Sequence, residues 1–159
     1  MGNSQSVLEQ GLLEMSLTRR LSAPPSILFR AWTDPKQLAE WWGPKGFANP
    51  VCDADARVGG VIRIHMRGPE GVVHPMTGRF LEIDRPHRLV FMASPLDKSD
   101  IPIAEVLNTV TFVEFNRGTE ISLVARVINA TAASAQAVSG MSQAWSQSLD
   151  RLATYVAQL

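Results

Sequence analysis

The stretch AASAQAVSGMSQAWSQSLDRLATYVAQ, Ala132 to Gln158, decides the fold. It holds no proline, and Ala137, Met141, Ala144, Trp145, Ser148, Leu149, Leu152 and Val156 recur on one stripe at helical spacing. A helix of this length can span a sheet. No charged residue lies between Val127 and Leu149, so its outer face is built from Ser and Gln. Those polar side chains exclude a membrane span, and the weakly polar face suits cover by a second copy of the chain, a homodimer.

The segments before this helix are strands. Ile121, Leu123, Ala125 and Val127 alternate with Glu120, Ser122 and Arg126, and Ile62, Ile64 and Met66 with Arg63, His65 and Arg67. Turn chemistry separates them at Gly59-Gly60, Gly68-Pro69-Glu70-Gly71, Asp84-Arg85-Pro86 and Asn116-Arg117-Gly118. Connections so short pair successive strands antiparallel, because a parallel pair needs a long crossover. Around Met76 to Ile83 the phase is broken: Phe80 and Leu81 cannot both point inward without a bulge, and Phe80 is assigned inward. At the front, Leu13 to Leu21 alternates as a half-buried strand. Pro24-Pro25 then opens a short helix with Leu28, Ala31 and Trp32 on one face. Asp34-Pro35 opens a second, carrying Leu38, Trp41 and Trp42 and ended by Gly43-Pro44.

One strand, two short helices, about six more strands and a long helix make an α+β order, a curved antiparallel sheet with one face to cover. A curved sheet closed by a single helix need not fill the space between them, and pockets form in such space. The expected inward set is Met66, Phe80, Phe91, Phe112, Met141 and Trp145, with Trp42 and Phe47 near the mouth. These eight are candidate ligand-binding residues; the alternative is that they interdigitate as a solid core.

Several segments carry a resemblance. They are Ala23-Pro24-Pro25, Trp32-Thr33-Asp34-Pro35, Trp41-Trp42-Gly43-Pro44, Gly59-Gly60, Gly78 to Ile83 with Pro86 and Arg88-Leu89, and Gly140-Met141 with Trp145, Ser148-Leu149 and Leu152. In this order the chain resembles the activator-of-heat-shock-protein-90-ATPase C-terminal-like family, within the START and Bet v-type helix-grip superfamily (SRPBCC). That superfamily also holds polyketide cyclases and lipid-transfer proteins. The resemblance covers about Leu13 to Leu159 and implies a single helix-grip domain over residues 11–159 after a flexible leader, 1–10. It is specific for fold rather than function. Ala144 stands where many relatives carry glycine, which narrows the room between helix and sheet.

Composition bounds the function. In 159 residues, 45% hydrophobic and 19% charged, 15 Lys and Arg balance 15 Asp and Glu, leaving no basic field to recruit nucleic acid. Disorder and a disulfide scaffold are excluded, since the chain is apolar enough for a core and Cys52 is its only cysteine. A reducing, cytoplasmic setting is expected. Met1-Gly2-Asn3-Ser4-Gln5-Ser6 satisfies the N-myristoylation pattern, although a plain polar leader reads the same way.

No G-x-S-x-G elbow, P-loop or dinucleotide fingerprint occurs. His65, His74 and His87 match no zinc spacing, and neither a metal nor a cofactor is expected. Asp53 and Asp55 flank Ala54 as exposed edge carboxylates, and Cys52 reads as a small buried hydrophobe. The expected function is therefore binding of a small hydrophobic or amphipathic molecule between sheet and helix. The resemblance implies two alternatives. One is a cyclase- or dehydratase-like enzyme, with His74 or Glu105 carrying a proton and Arg79 stabilising an oxyanion; it requires at least two of these side chains to meet in one pocket. The other is a co-chaperone-like interaction domain.

Overall fold

Alternating segments joined by tight turns leave each strand beside the one before it, and that is the architecture of the computed structural model, which describes residues 14–131 and 140–159. Its strands are β1 (Glu14–Leu21), β2 (Ala48–Ala54), β3 (Val61–Arg67), β4 (Val73–Asp84), β5 (Arg88–Pro95), β6 (Ala104–Phe115) and β7 (Gly118–Ala130). The helices are α1 (Pro25–Thr33) and α2 (Pro35–Trp41), between β1 and β2, and the C-terminal α3 (Met141–Ala157). The expected leader, the myristoylation pattern and the first part of the expected long helix, Ala137 included, lie outside the described residues.

All strand pairs are antiparallel and form one seven-stranded sheet in the order β1-β7-β6-β5-β4-β3-β2. This is the α+β arrangement that the element order predicts and the helix-grip fold that the resemblance implies. Strands β2 to β7 run as a meander, and β1 closes onto β7 while α1 and α2 carry the chain across to β2 at the other edge. The β6–β7 hairpin turns on Asn116 and Arg117, at φ 50° and 69°, between the paired Phe115 and Gly118. Two left-handed residues in succession suit the twist of a two-residue hairpin.

The broken phase in β4 resolves as a bulge. Phe80 faces Phe91 but Glu82 faces Val90, so Leu81 is the extra residue; it is 43% exposed while Phe80 is buried. Gly78, two residues earlier on the inward side, sits so close to β5 that a Cβ there would run into the carbonyl oxygen of Met92.

The two short helices begin as their prolines dictate, and Asp34 caps α2 by accepting from the Lys36 N–H at 3.0 Å. The second ends one residue sooner than the spacing of its apolar residues predicts. Leu38 and Trp41 are buried on its inner face, but Trp42 is already extended, at φ −62° and ψ 134°. Gly43 follows at φ 100° and Pro44 has no N–H to continue a helix.

The core is aromatic. Trp32 lies at its centre, with Trp41 edge-on at 4.7 Å between ring centroids, Phe91 at 6.2 Å, Phe112 at 6.4 Å and Trp145 of α3 stacked at 5.7 Å. Phe112 also meets Phe29 at 5.2 Å. Leu149, Leu152 and Val156 complete the buried stripe of α3. Among the described residues no helix is long and apolar enough to cross a membrane.

Phe112 thus packs between α1 and the sheet rather than facing open space. Phe112→Ala should lower the unfolding free energy by about 3–5 kcal/mol, the cost of truncating a large core side chain, measured by urea denaturation.

Candidate functional site

Small residues face small residues at one end of the helix–sheet interface. Ala144 and Ser148 on α3 look across at Ala93 on β5 and at Ala104 and Val106 on β6, and no side chain among the described residues fills the gap. The result is a cavity of about 340 Å³. Its walls are Met141, Ala144, Trp145 and Ser148 from α3, Trp42 to Pro44 and Phe47 from the segment after α2, Met66 from β3, and residues of β4, β5 and β6. Trp145 forms the inner limit: it stacks on buried Trp32 and meets Trp42 edge-on at 5.2 Å.

Three attachments hold α3 over this space. Arg151 Nη1 donates to the carbonyl oxygens of Trp42, Gly43 and Pro44 at 3.1, 3.0 and 3.0 Å, and Nη2 reaches that of Glu40 at 3.4 Å. One guanidinium therefore fixes the segment that carries two cavity walls, Trp42 and Phe47. Burial lowers the Arg151 pKa from its ordinary value while the Glu40 charge raises it, and the side chain stays a cation. Gln147 Oε1 accepts from the Lys45 N–H at 3.0 Å. On the far side Arg19, which alternation places on the inner face of β1, donates to Ser146 Oγ at 2.7 Å and lies 3.7 Å from Asp150.

Of the eight candidate ligand residues, Trp42, Phe47, Met66, Met141 and Trp145 line the cavity. Phe80, Phe91 and Phe112 do not: they point inward but lie within the packed core. The catalytic candidates do not converge. His74 lies at the mouth, its ring 6.0 Å from that of Phe47. Arg79 is exposed between the inward Gly78 and Phe80, and Glu105 lies between the inward Ala104 and Val106 without lining the cavity. Strand alternation turns both away from His74, so the constellation the enzymatic reading requires is absent among the described residues.

Two polar residues of the cavity were not among the candidates, Asn108 and Ser148. Asn108 is 1% exposed and sits on the inward face of β6 between Val106 and Val110. Its Nδ2 donates to the carbonyl oxygens of Val106 at 3.1 Å and Phe91 at 3.5 Å, and its Oδ1 has no partner among the described residues. A polar residue at an inward strand position was the signal that could have revealed it. Ser148 is buried and its hydroxyl donates to the Ala144 carbonyl at 2.9 Å.

Cys52 lies away from the cavity, packed against the core from β2. Burial, and secondarily the Asp53 charge, push its thiol from 9.0 up to about 12.

With this geometry in view, comparison with known proteins is informative. The family described as "Activator of Hsp90 ATPase homolog 1-like protein" matches residues 22–157. The chain belongs to this family. Among solved structures, a protein from Chromobacterium violaceum is similar at 31% identity and TM-score 0.72, covering 89% of this chain and 94% of that one. A Rhodobacter sphaeroides protein is similar at 28% identity and TM-score 0.77, covering 92% and 93%. One from Nitrosomonas europaea is similar at 26% identity and TM-score 0.77, covering 91% and 94%. No curated protein matches the sequence. Proteins of nearly the same length thus share the fold, and the family match spans β2 to β7, the three described helices and every described residue of the cavity wall.

Arg151→Ala should free the segment from Trp42 to Pro44 and cost about 1–3 kcal/mol, since each lost bond has a charged donor; denaturant midpoints and Trp emission report it. Cys52 should react with a disulfide reagent at pH 8 far more slowly in the native chain than in urea. Its unfolded thiol ionises near 9 and the folded one near 12, so stability should fall as pH rises through this interval, by less in Cys52→Val.

Proposed function

We propose that the chain, with residues 11–159 acting as one domain, binds a small hydrophobic or amphipathic molecule in the cavity between the sheet and α3. The observation that carries this reading is the cavity itself, about 340 Å³ walled by Trp42, Phe47, Met66, Met141 and Trp145. Ligand clefts of about 300–1,000 Å³ with mainly apolar walls and few polar groups bind drug-sized molecules. Methionine adapts to irregular ligands and the indoles offer flat faces, so the lining suits a ring system or a short hydrocarbon body. The helix-grip fold of the family supports the reading, because its single helix covers a curved sheet at one end and leaves room at the other. The enzymatic alternative is not carried forward, since His74 alone of its three residues reaches the cavity.

The test is uptake of N-phenyl-1-naphthylamine, an uncharged apolar fluorophore, together with native mass spectrometry of freshly purified protein. Wild type should enhance the probe's emission. Ala144→Phe, which fills the gap between helix and sheet, should abolish uptake with the fold retained by circular dichroism, and Trp145→Ala should alter the affinity. Uptake that Ala144→Phe leaves untouched would place the probe elsewhere and end this reading.

A further inference from the structure

The cavity wall is poor in charge, and one buried acceptor in it has no partner among the described residues. No Asp, Glu, Lys or Arg lines it among the described residues, and the sequence from Val127 to Leu149 contributes no charge wherever its remaining part lies. Trp42, Trp145 and His74 bring N–H donors to the wall, while the donors of its amide and hydroxyl side chains are already engaged. The Asn108 amide group is held by the carbonyls of Val106 and Phe91, and the Ser148 hydroxyl by that of Ala144. The amide orientation is fixed by those carbonyls, which accept only from nitrogen. On these two side chains that leaves Asn108 Oδ1, which has no partner among the described residues, and the lone pairs of Ser148. Pro44, Pro75 and Pro95 in the wall have no N–H to offer.

We propose that this unpartnered acceptor, in a wall whose described residues include no Asp, Glu, Lys or Arg, selects uncharged apolar ligands that carry a hydrogen-bond donor, a hydroxyl or an N–H, over both the plain hydrocarbon and the carboxylate. The proposal rests on the ligand-binding reading above and adds the ligand's chemistry to it. A buried acceptor without a partner is costly, and a ligand donor relieves that cost. Oδ1 is covered by its surroundings, so the donor reaches it through a small shift of the cavity wall. A carboxylate would bring only acceptors to Asn108 Oδ1 and would lose its hydration with no Lys or Arg among the described lining residues to replace it. His74 stands at the mouth, outside this interior pair.

Equilibrium dialysis against 2-naphthol, naphthalene and 2-naphthoate at neutral pH tests it, since the three share one ring system. Wild type should hold 2-naphthol tightest and 2-naphthoate weakest. Asn108→Leu, similar in volume, should lower the preference for 2-naphthol over naphthalene by about tenfold, the worth of one hydrogen bond to a buried acceptor. Ser148→Ala should lower it less, and with the wild-type ranking it decides the matter if Asn108→Leu does not fold. Naphthalene or 2-naphthoate binding as well as 2-naphthol would overturn this proposal and leave the ligand-binding reading standing. Binding of none of the three, with N-phenyl-1-naphthylamine also refused, would remove both.

Discussion

The stack of Trp145 on Trp32 is the contact on which the rest of the structure depends. It joins the middle of the helix–sheet interface to the centre of the aromatic core, with the rings 5.7 Å apart and 20° from parallel. C-terminal to it, Leu149, Leu152 and Val156 fill the interface as a solid core. Beside it, α3 offers Met141 and Ala144 and, one turn further on, Ser148, and the sheet offers Ala93, Ala104 and Val106. The same ring thus ends the packed region and begins the cavity. An interior otherwise close-packed leaves space here because small side chains meet across a separation set by a large one.

Backbone carbonyls rather than side chains secure the other wall. The segment from Trp42 to Pro44 leaves α2 abruptly, at Gly43 with φ 100°, and its carbonyls have no helix to satisfy them. Arg151 gathers three of them on one nitrogen. The planar guanidinium suits several converging acceptors as an ammonium would not. The surface ion pairs, such as Arg88 with Glu82 and Arg57 with Asp55, are exposed and contribute little by comparison.

The fold was largely legible in the sequence because its signals are local. Alternation in β3 and β7, the Asp34-Pro35 helix start and the conflict between Phe80 and Leu81 each reflect a constraint within a few residues. The candidate site was legible only in part. Alternation tells which face of a strand a residue occupies, so Phe80, Phe91 and Phe112 were expected at a cavity that lies further along the sheet. The same rule, applied to Arg79 and Glu105, would have separated them from His74. Asn108 escaped notice because a single polar residue in an apolar strand reads as an interruption until its carbonyl partners are known.

By itself the sequence determined a sparsely charged, proline-free C-terminal helix with one apolar stripe and a set of antiparallel strands for it to cover, because periodicity and turn chemistry are properties of neighbouring residues. Tertiary structure alone decided where the interface is solid and where it is open. It also decided which carbonyls Arg151 would gather and which amide oxygen would be left without a partner. Those outcomes depend on distances between residues as far apart in the chain as Trp32 and Trp145, or Trp42 and Arg151, and only the packed fold sets such distances.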